Sequence, residues 1–114
     1  MKSRKEIKEA YKQMKFQIGV FQIRNLINGK VFIGSSLDLV ASWNSQRFQL
    51  NAGLHQNSKL QKEWAELGAD NFVYEIVSEL KQDAETSVNY NREIKKLEEM
   101  VIDDIQPFGD KGYH

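Results

Sequence analysis

The dipeptide Asn28-Gly29 lies between two runs rich in β-branched and aromatic residues, and it limits the fold more than any other feature. The first run covers residues 17–25, and the second covers residues 31–34. Asn-Gly favours a two-residue type I′ turn, because both turn positions need a positive φ. The sequence therefore predicts a β-hairpin with a type I′ turn.

Four helices and a third strand are predicted around this hairpin. Residues 3–15 form a basic helix that Ser3 caps, residues 38–52 form a helix that Gly53 ends, and residues 58–67 form a helix that Ser58 caps. Residues 71–80 alternate like a strand, and residues 85–105 follow a helical period up to Pro107. Three strands covered by helices indicate a small α/β or α+β layered domain.

Composition excludes several classes of protein. The 114 residues are 40% hydrophobic, which is enough for one modest core. There is no cysteine, so disulfides, cysteine-ligated zinc and iron–sulfur clusters are excluded. No apolar run approaches the length of a transmembrane helix, and residues 1–5 do not begin a secretory signal. We therefore expect a cytoplasmic protein without a membrane partner.

The formal net charge of zero conceals a division between the two halves of the chain. Residues 1–62 carry 11 basic and 3 acidic residues, a balance of +8, whereas residues 63–114 carry 5 basic and 13 acidic residues, a balance of −8. One interpretation is an anionic partner for the first half, with residues 1–16 as a basic arm facing nucleic acid. The other is that the two halves attract each other within one fold, and that the first helix is simply solvated.

Glu98 is out of place on the last predicted helix. At 100° per residue, the apolar stripe that includes Ile94, Leu97 and Val101 also contains Glu98, at about 40° from Ile94. Burying a carboxylate is costly unless it is paired or bound to a metal. Glu98 is therefore either a metal ligand or catalytic acid, or one partner of a salt bridge.

An ordered set of motifs resembles the GIY-YIG endonuclease superfamily. Gly19-Val20-Phe21 corresponds to the family's Gly-Ile-Tyr, and Phe32-Ile33-Gly34 corresponds to its Tyr-Ile-Gly. Further likenesses extend over about residues 17–114, and they comprise Trp43-Asn44, the 53–68 loop and helix, Asn71-Phe72, Leu97-Glu98 and Gly112-Tyr113. The resemblance implies a three-stranded antiparallel sheet flanked by helices, here with an extra N-terminal helix (residues 1–16) before the nuclease-like domain (residues 17–114).

The resemblance also implies site residues and a cofactor. Family enzymes hydrolyse a DNA phosphodiester with one divalent cation, and Glu98 stands at their metal-binding glutamate. Phe21 and Phe32 stand where the family has tyrosines, and phenylalanine has no oxygen that can accept a proton or orient water. Ser42 replaces the family's arginine, and Gln46 stands where many members have histidine. A cofactor, Mg²⁺ or Mn²⁺, is expected only if the chain is active.

Four more residues are candidates for contacts with substrate. His55 lies in the loop between two helices and is either a catalytic residue contacting phosphate or a loop-capping residue. Lys30, Arg47 and Lys59 are candidates for nucleic-acid binding. For Lys30 a surface position is the simpler alternative, and for Arg47 the alternative is packing of its stem on Trp43. Trp43 and Trp64 are predicted to belong to the core.

Two functions follow from the sequence. The first is a DNA endonuclease-like domain whose catalysis is weakened or lost by the replaced tyrosines and arginine. The second is a non-catalytic module that binds nucleic acid, with DNA favoured over RNA, or a protein partner. Binding to nucleic acid through the basic first half would weaken steeply with salt.

Overall fold

The computed structural model describes residues 17–80 and 90–114 of the chain. The helices and strands are β1 (Ile18–Asn25), β2 (Val31–Ser36), α1 (Leu39–Ala52), α2 (Ser58–Leu67), β3 (Phe72–Leu80) and α3 (Tyr90–Ile105). The three strands form one antiparallel sheet in the order β2-β1-β3, which confirms the predicted fold class. The predicted N-terminal helix and the first residues of the predicted last helix (85–89) lie outside the described residues.

The connection between β1 and β2 differs from the predicted type I′ turn. Gly29 has a φ of 75°, but Asn28 has no positive φ. The backbone N–H of Gly29 donates to the carbonyl of Asn25, and the Asn25 side chain accepts the N–H of Ile27. The Asn25 side chain thus helps to form a longer turn, in which one glycine in the left-handed region is sufficient. The hairpin prediction is confirmed, whereas the turn type was wrong.

The sheet is covered on both faces, because its side chains alternate between two hydrophobic clusters. Phe21 and Ile23 of β1 and Phe32 of β2 join residues of α1 and α2 on one face. Val20, Val31 and Ile33 pack against Val101 of α3 on the other. Hence α3 and the two shorter helices lie on opposite sides of the sheet.

The two shorter helices begin and end with identifiable caps. Asp38 accepts the backbone N–H of Ala41 at the start of α1, and Gly53, with a φ of 74°, ends it. These bounds confirm the predicted helix. The predicted cap of α2 was wrong by one residue: Asn57, not Ser58, accepts the N–H of Leu60. Asn57 also donates to the carbonyl of Tyr113, so it joins this helix to the end of the chain.

The last residues run along the outer edge of β2. Gly112 forms a parallel bridge with Val31, and the N–H of Tyr113 donates to the Val31 carbonyl at 3.1 Å. The backbone groups of an edge strand need such partners, or they pair with other chains. The end of the chain therefore lies beside β2. No described helix is long and apolar enough to cross a membrane.

Candidate functional site

A cleft of about 270 Å³ opens at the edge of β2. Strands β1 and β2, helices α1 and α3, the loop before α2 and the end of the chain all contribute to it. The lining residues are Phe21, Phe32, Ile33, Gly34, Ser35, Gln46, Gln56, Lys95, Glu98 and His114. Four of the predicted positions therefore meet in one place: Phe21, Phe32, Gln46 and Glu98.

Glu98 reaches the cleft because α3 packs its apolar stripe on the sheet. Ile94 and Val101 of this stripe are buried, and the Glu98 side chain between them is only 17% exposed. Its carboxylate oxygen Oε2 lies 3.4 Å from Nζ of Lys95, which is 69% exposed. Both readings of the misplaced carboxylate are therefore compatible with the geometry: Glu98 lines a cleft and also has a solvated cationic partner.

Phe21 and Phe32 give the cleft a hydrocarbon wall. Phe21 stacks on Tyr74 with ring centroids 4.9 Å apart, and the Tyr74 hydroxyl donates to the carbonyl of Leu39 rather than into the cleft. Phe21 lies directly opposite Gly34 in the sheet. A Cβ atom at Gly34 would meet the tip of the Phe21 ring, so a glycine here lets an aromatic ring cross the neighbouring strand.

His55 is buried behind this wall, with both ring nitrogens engaged. Its Nδ1 accepts the backbone N–H of Asn57 at 3.0 Å, so the neutral ring carries its proton on Nε2. Nε2 lies 2.5 Å from Oε1 of Gln46, which it reaches as a donor. Burial disfavours the charged ring and lowers the pKa of His55. His55 thus holds the loop and orients Gln46, and it is Gln46 that lines the cleft.

His114, at the end of the chain, also lines the cleft. Its ring lies parallel to that of Phe32, with centroids 5.2 Å apart, and its Nε2 accepts the N–H of Ile33 at 2.8 Å. Burial lowers the pKa of His114, and the nearby charge of Glu98 raises it in part. The hydrogen bond fixes the ring against β2.

The donor atoms in the cleft fit only some metal ions. Within residues 17–80 and 90–114, no group of three or more His, Cys, Asp or Glu side chains is placed to hold a metal. Glu98 is the one carboxylate among the lining residues, and the buried Ser35 hydroxyl there has no hydrogen-bond partner. Such a set does not form a zinc or calcium cage. It fits a hard cation such as Mg²⁺, which binds through one or two carboxylates and takes further ligands from water and substrate phosphate.

Comparison with known proteins identifies the fold and the superfamily. No protein-family model matches the sequence. The structure superposes on the catalytic domain of intron endonuclease I-TevI, solved as a point mutant, with a TM-score of 0.72 and 25% identity, over 87% of this chain and 93% of that one. The chain is a member of the GIY-YIG superfamily. A second structure, the catalytic domain of homing endonuclease I-TevI, gives a TM-score of 0.69 and 27% identity over 84% of this chain and 95% of that one.

A curated relative matches a shorter segment. Over 50 residues, the sequence is 36% identical to Intron-associated endonuclease 1 of Enterobacteria phage T4. This segment covers 44% of this chain and 20% of that protein. The chain therefore spans about a fifth of the relative's length, and most of the relative has no counterpart in the alignment.

The predicted nucleic-acid-binding residues do not line the GIY-YIG cleft. Lys30 lies over the Tyr113 ring, 3.5 Å from the Glu63 carboxylate. Arg47 stacks its guanidinium over Trp43 and donates to Asn44, which agrees with the packing alternative. Lys59 is exposed near the start of α2.

Ion pairs within the fold neutralise part of the charge difference between the two halves. Lys30 pairs with Glu63, and Arg24 pairs with Glu75 at 2.7 Å. Both pairs join a cation of the first half to a carboxylate of the second half. These contacts support the interpretation that the halves attract each other, at least for the cations of the hairpin.

Ser42, at the position of the family's arginine, is half-buried and interacts with the Tyr74 hydroxyl. It does not line the cleft. The two tryptophans differ in burial: Trp64 is a core residue, whereas Trp43 is half-buried and packs against the same cluster. Helix α1 therefore presents Gln46 to the cleft, and no cationic side chain of α1 is among the lining residues.

Sequence reasoning did not single out Ser35, Gln56, Lys95 or His114 as site residues. For His114 a signal existed, since it follows Gly112-Tyr113 where the family's motif continues with asparagine. For Lys95 the signal was its spacing of three from Glu98, which places two helical residues on one face. Ser35 and Gln56 carry no such sequence signal, and only the fold brings them to the cleft.

Proposed function

We propose that this chain is a nuclease-type domain for DNA phosphodiester bonds, with Glu98 as the ligand of a single Mg²⁺ or Mn²⁺ ion. The observation that carries the proposal is the meeting of both motif phenylalanines and Glu98 in one cleft of a GIY-YIG fold. The relatives are named as intron and homing endonucleases, which supports the class of reaction. We extend the proposal to DNA as the partner and to a cytoplasmic location.

Each cleft residue has a role in this proposal. Glu98 holds the cation, and a cation held there supplies Lewis-acid stabilisation of the charge on the phosphate. Gln46, fixed by His55, offers an amide that hydrogen-bonds water or a phosphate oxygen. Phe21 and Phe32 exclude water from one wall and donate no proton.

The replaced residues predict slow chemistry. A general base contributes about 10²–10⁴-fold to an enzymatic rate, and a preorganised electrostatic group contributes about 10²–10³-fold. The cleft has a hydrocarbon ring where the family has each motif tyrosine, and Ser42 lies outside the lining. We therefore propose weakened catalysis relative to members that keep both tyrosines and the arginine.

A second function has its own support. The predicted nucleic-acid-binding residues Lys30 and Arg47 are engaged in contacts within the protein. A phenylalanine-walled cleft in which Lys95 is the one cation among the described lining residues is also compatible with a non-catalytic module that binds nucleic acid or a protein. This candidate predicts no hydrolysis at any metal concentration.

Nicking of supercoiled plasmid with Mg²⁺ and then Mn²⁺ distinguishes the two. The set comprises the wild type, Glu98→Ala, and Glu99→Ala as a matched control, because Glu99 is exposed on the same helix. We expect slow nicking that disappears in Glu98→Ala and persists in Glu99→Ala. Nicking that survives in Glu98→Ala would contradict the site assignment.

A restoration variant tests the reason for slow catalysis. Phe21→Tyr, Phe32→Tyr and Ser42→Arg together return the family's side chains, and we expect nicking at least ~10²-fold faster than the wild type. A silent wild type with an active restoration variant would support the non-catalytic module. An unchanged rate would mean that the substitutions do not limit the reaction. Thermal melts of every variant separate loss of activity from loss of folding.

A further inference from the structure

We infer that Lys95, together with Ser35 and His114, forms a phosphate-binding subsite, in which a cation from α3 takes over the phosphate contact that Ser42 cannot make. This inference deepens the proposed function, because it assigns the residues that bind the phosphate group in the same cleft. It rests on that proposal for the identity of the anion. Three observations support it.

The first observation concerns Lys95, which is the one cationic side chain among the described residues lining the cleft. Its ammonium group lies 3.4 Å from Glu98, and its side chain is 69% exposed. Exposed ion pairs of this kind contribute little to stability, so the ammonium group exchanges readily between partners. A phosphate in the cleft would give Lys95 a second anionic partner while its ammonium group stays near Glu98.

The second observation concerns Ser35. Its hydroxyl is buried and has no hydrogen-bond partner among the residues the structure describes. Leaving a buried hydroxyl without a hydrogen bond is destabilising, so native proteins seldom keep one without a use. Ser35 lies near the end of β2 and lines the cleft, where rotation about its χ1 bond would turn the O–H toward a ligand oxygen.

The third observation concerns His114. Because Nε2 accepts the N–H of Ile33, the neutral ring carries its proton on Nδ1. The ring lines the cleft, and Nδ1–H is the group that it can donate to a ligand, whereas accepting a proton at Nε2 would break its bond to β2. Stacking on Phe32 fixes the plane of the ring.

The three groups share one property, because an ammonium, a hydroxyl and an imidazole N–H all donate hydrogen bonds. Donors around a small cleft are complementary to an anion with several acceptor oxygens, which describes a phosphodiester. Glu98 is the exception, and in the proposed function it holds the cation that bridges to the same phosphate. In this chain the cation that contacts phosphate is therefore Lys95 on α3, about one helical turn from Glu98, instead of an arginine on α1.

The subsite is tested without metal, so that binding is separated from hydrolysis. The probe is dimethyl phosphate, added in the presence of EDTA and at constant ionic strength, and the readout is the amide NMR spectrum of the intact chain. We expect saturable shifts at Ile33, Gly34 and Ser35. Shifts that do not saturate, or that are spread over the surface, would overturn the subsite.

Variants at adjacent lysines provide the matched comparison. Lys96 is exposed beside Lys95 on α3 but does not line the cleft, and its removal changes the net charge equally. We expect Lys95→Ala to weaken binding about tenfold or more, Lys95→Arg to restore it, and Lys96→Ala to leave it unchanged. If Lys95→Ala and Lys96→Ala weaken binding equally, the loss of one positive charge explains the effect, and the specific role of Lys95 is refuted.

Failure of the subsite and failure of the proposed function have different signatures. If the chain binds dimethyl phosphate through Lys95 but nicks no DNA, the subsite is supported and the hydrolytic function is refuted. If the chain nicks DNA through Glu98 but the Lys95→Ala variant binds dimethyl phosphate as well as the wild type, the hydrolytic function is supported and the subsite is refuted.

Discussion

Replacing Gly34 by alanine tests the packing that forms the wall of the cleft. A Cβ atom at Gly34 would lie 2.4 Å from Cζ of Phe21, and 2.9 and 3.0 Å from its two Cε atoms. Carbon atoms in contact prefer about 3.5–4.0 Å, so the ring must withdraw by about 1 Å. Phe21 is 2% exposed and stacks on Tyr74, which leaves the ring little room.

The size of the effect follows from this overlap. Overpacking a core by one methyl group costs about 1–3 kcal/mol, whereas alanine would otherwise be favoured over glycine in a strand. We expect the free energy of unfolding to fall by about 2 kcal/mol and Tm by roughly 10 °C. Urea denaturation followed by tryptophan fluorescence measures this difference.

A second substitution identifies the cause. Leucine ends at Cδ and lacks the Cε and Cζ atoms that a methyl group on residue 34 would meet. In the Phe21→Leu background, Gly34→Ala should therefore cost close to nothing, which gives a coupling energy of about 1–3 kcal/mol in a double-mutant cycle. If the two changes are additive within about 0.5 kcal/mol, the contact does not explain the glycine.

Gly29→Ala is the matched control for this cycle. Gly29 has a φ of 75°, and a Cβ atom there would meet nothing within 4 Å. Its substitution should cost about 1–2 kcal/mol through backbone strain alone. The same cost in the wild type and in Phe21→Leu would show that the rescue at Gly34 is specific.

Three further predictions concern caps and buried ionisable groups. Asp38→Ala removes the acceptor at the start of α1, and urea denaturation should show a loss of about 1 kcal/mol, which Asp38→Asn largely restores. Burial raises the pKa of Glu63, but hydrogen bonds, of which that from Tyr113 is the largest, outweigh it and hold the pKa below 4.5. Its stabilisation is thus complete above pH 4.5 and lost as the pH falls through the folded pKa, so acid denaturation should be shallower in Glu63→Gln. Burial also lowers the pKa of His55 below 6.5, so stability should fall as the pH drops below 6.5, and a flat profile would contradict the buried neutral ring. His55→Gln should reduce this slope and leave the part that the lowered pKa of His114 contributes.

Local patterns in the sequence determined most of the fold. The β-branched and aromatic residues of β1, the alternating residues of β3 and the stop Gly53 act over a few neighbouring residues, so the strands and α1 were predictable. The position of Glu98 in an apolar stripe was also visible in the sequence, because a helical period reports which side chains share a face. The turn type and the cap of α2 were not, since Asn25 and Asn57 determine them through side-chain hydrogen bonds.

Only the tertiary structure decided which side chains meet in the cleft. Lys30 was a reasonable ligand for phosphate by sequence, but Glu63, 33 residues away, pairs with it. His114 lies in the site because the end of the chain runs beside β2. The Ser35 hydroxyl has no hydrogen-bond partner because the fold buries it. Contacts between distant residues depend on how the layers pack, and no local pattern encodes them. The sequence thus determined the scaffold and Glu98, whereas packing of the sheet edge decided the chemistry around that carboxylate.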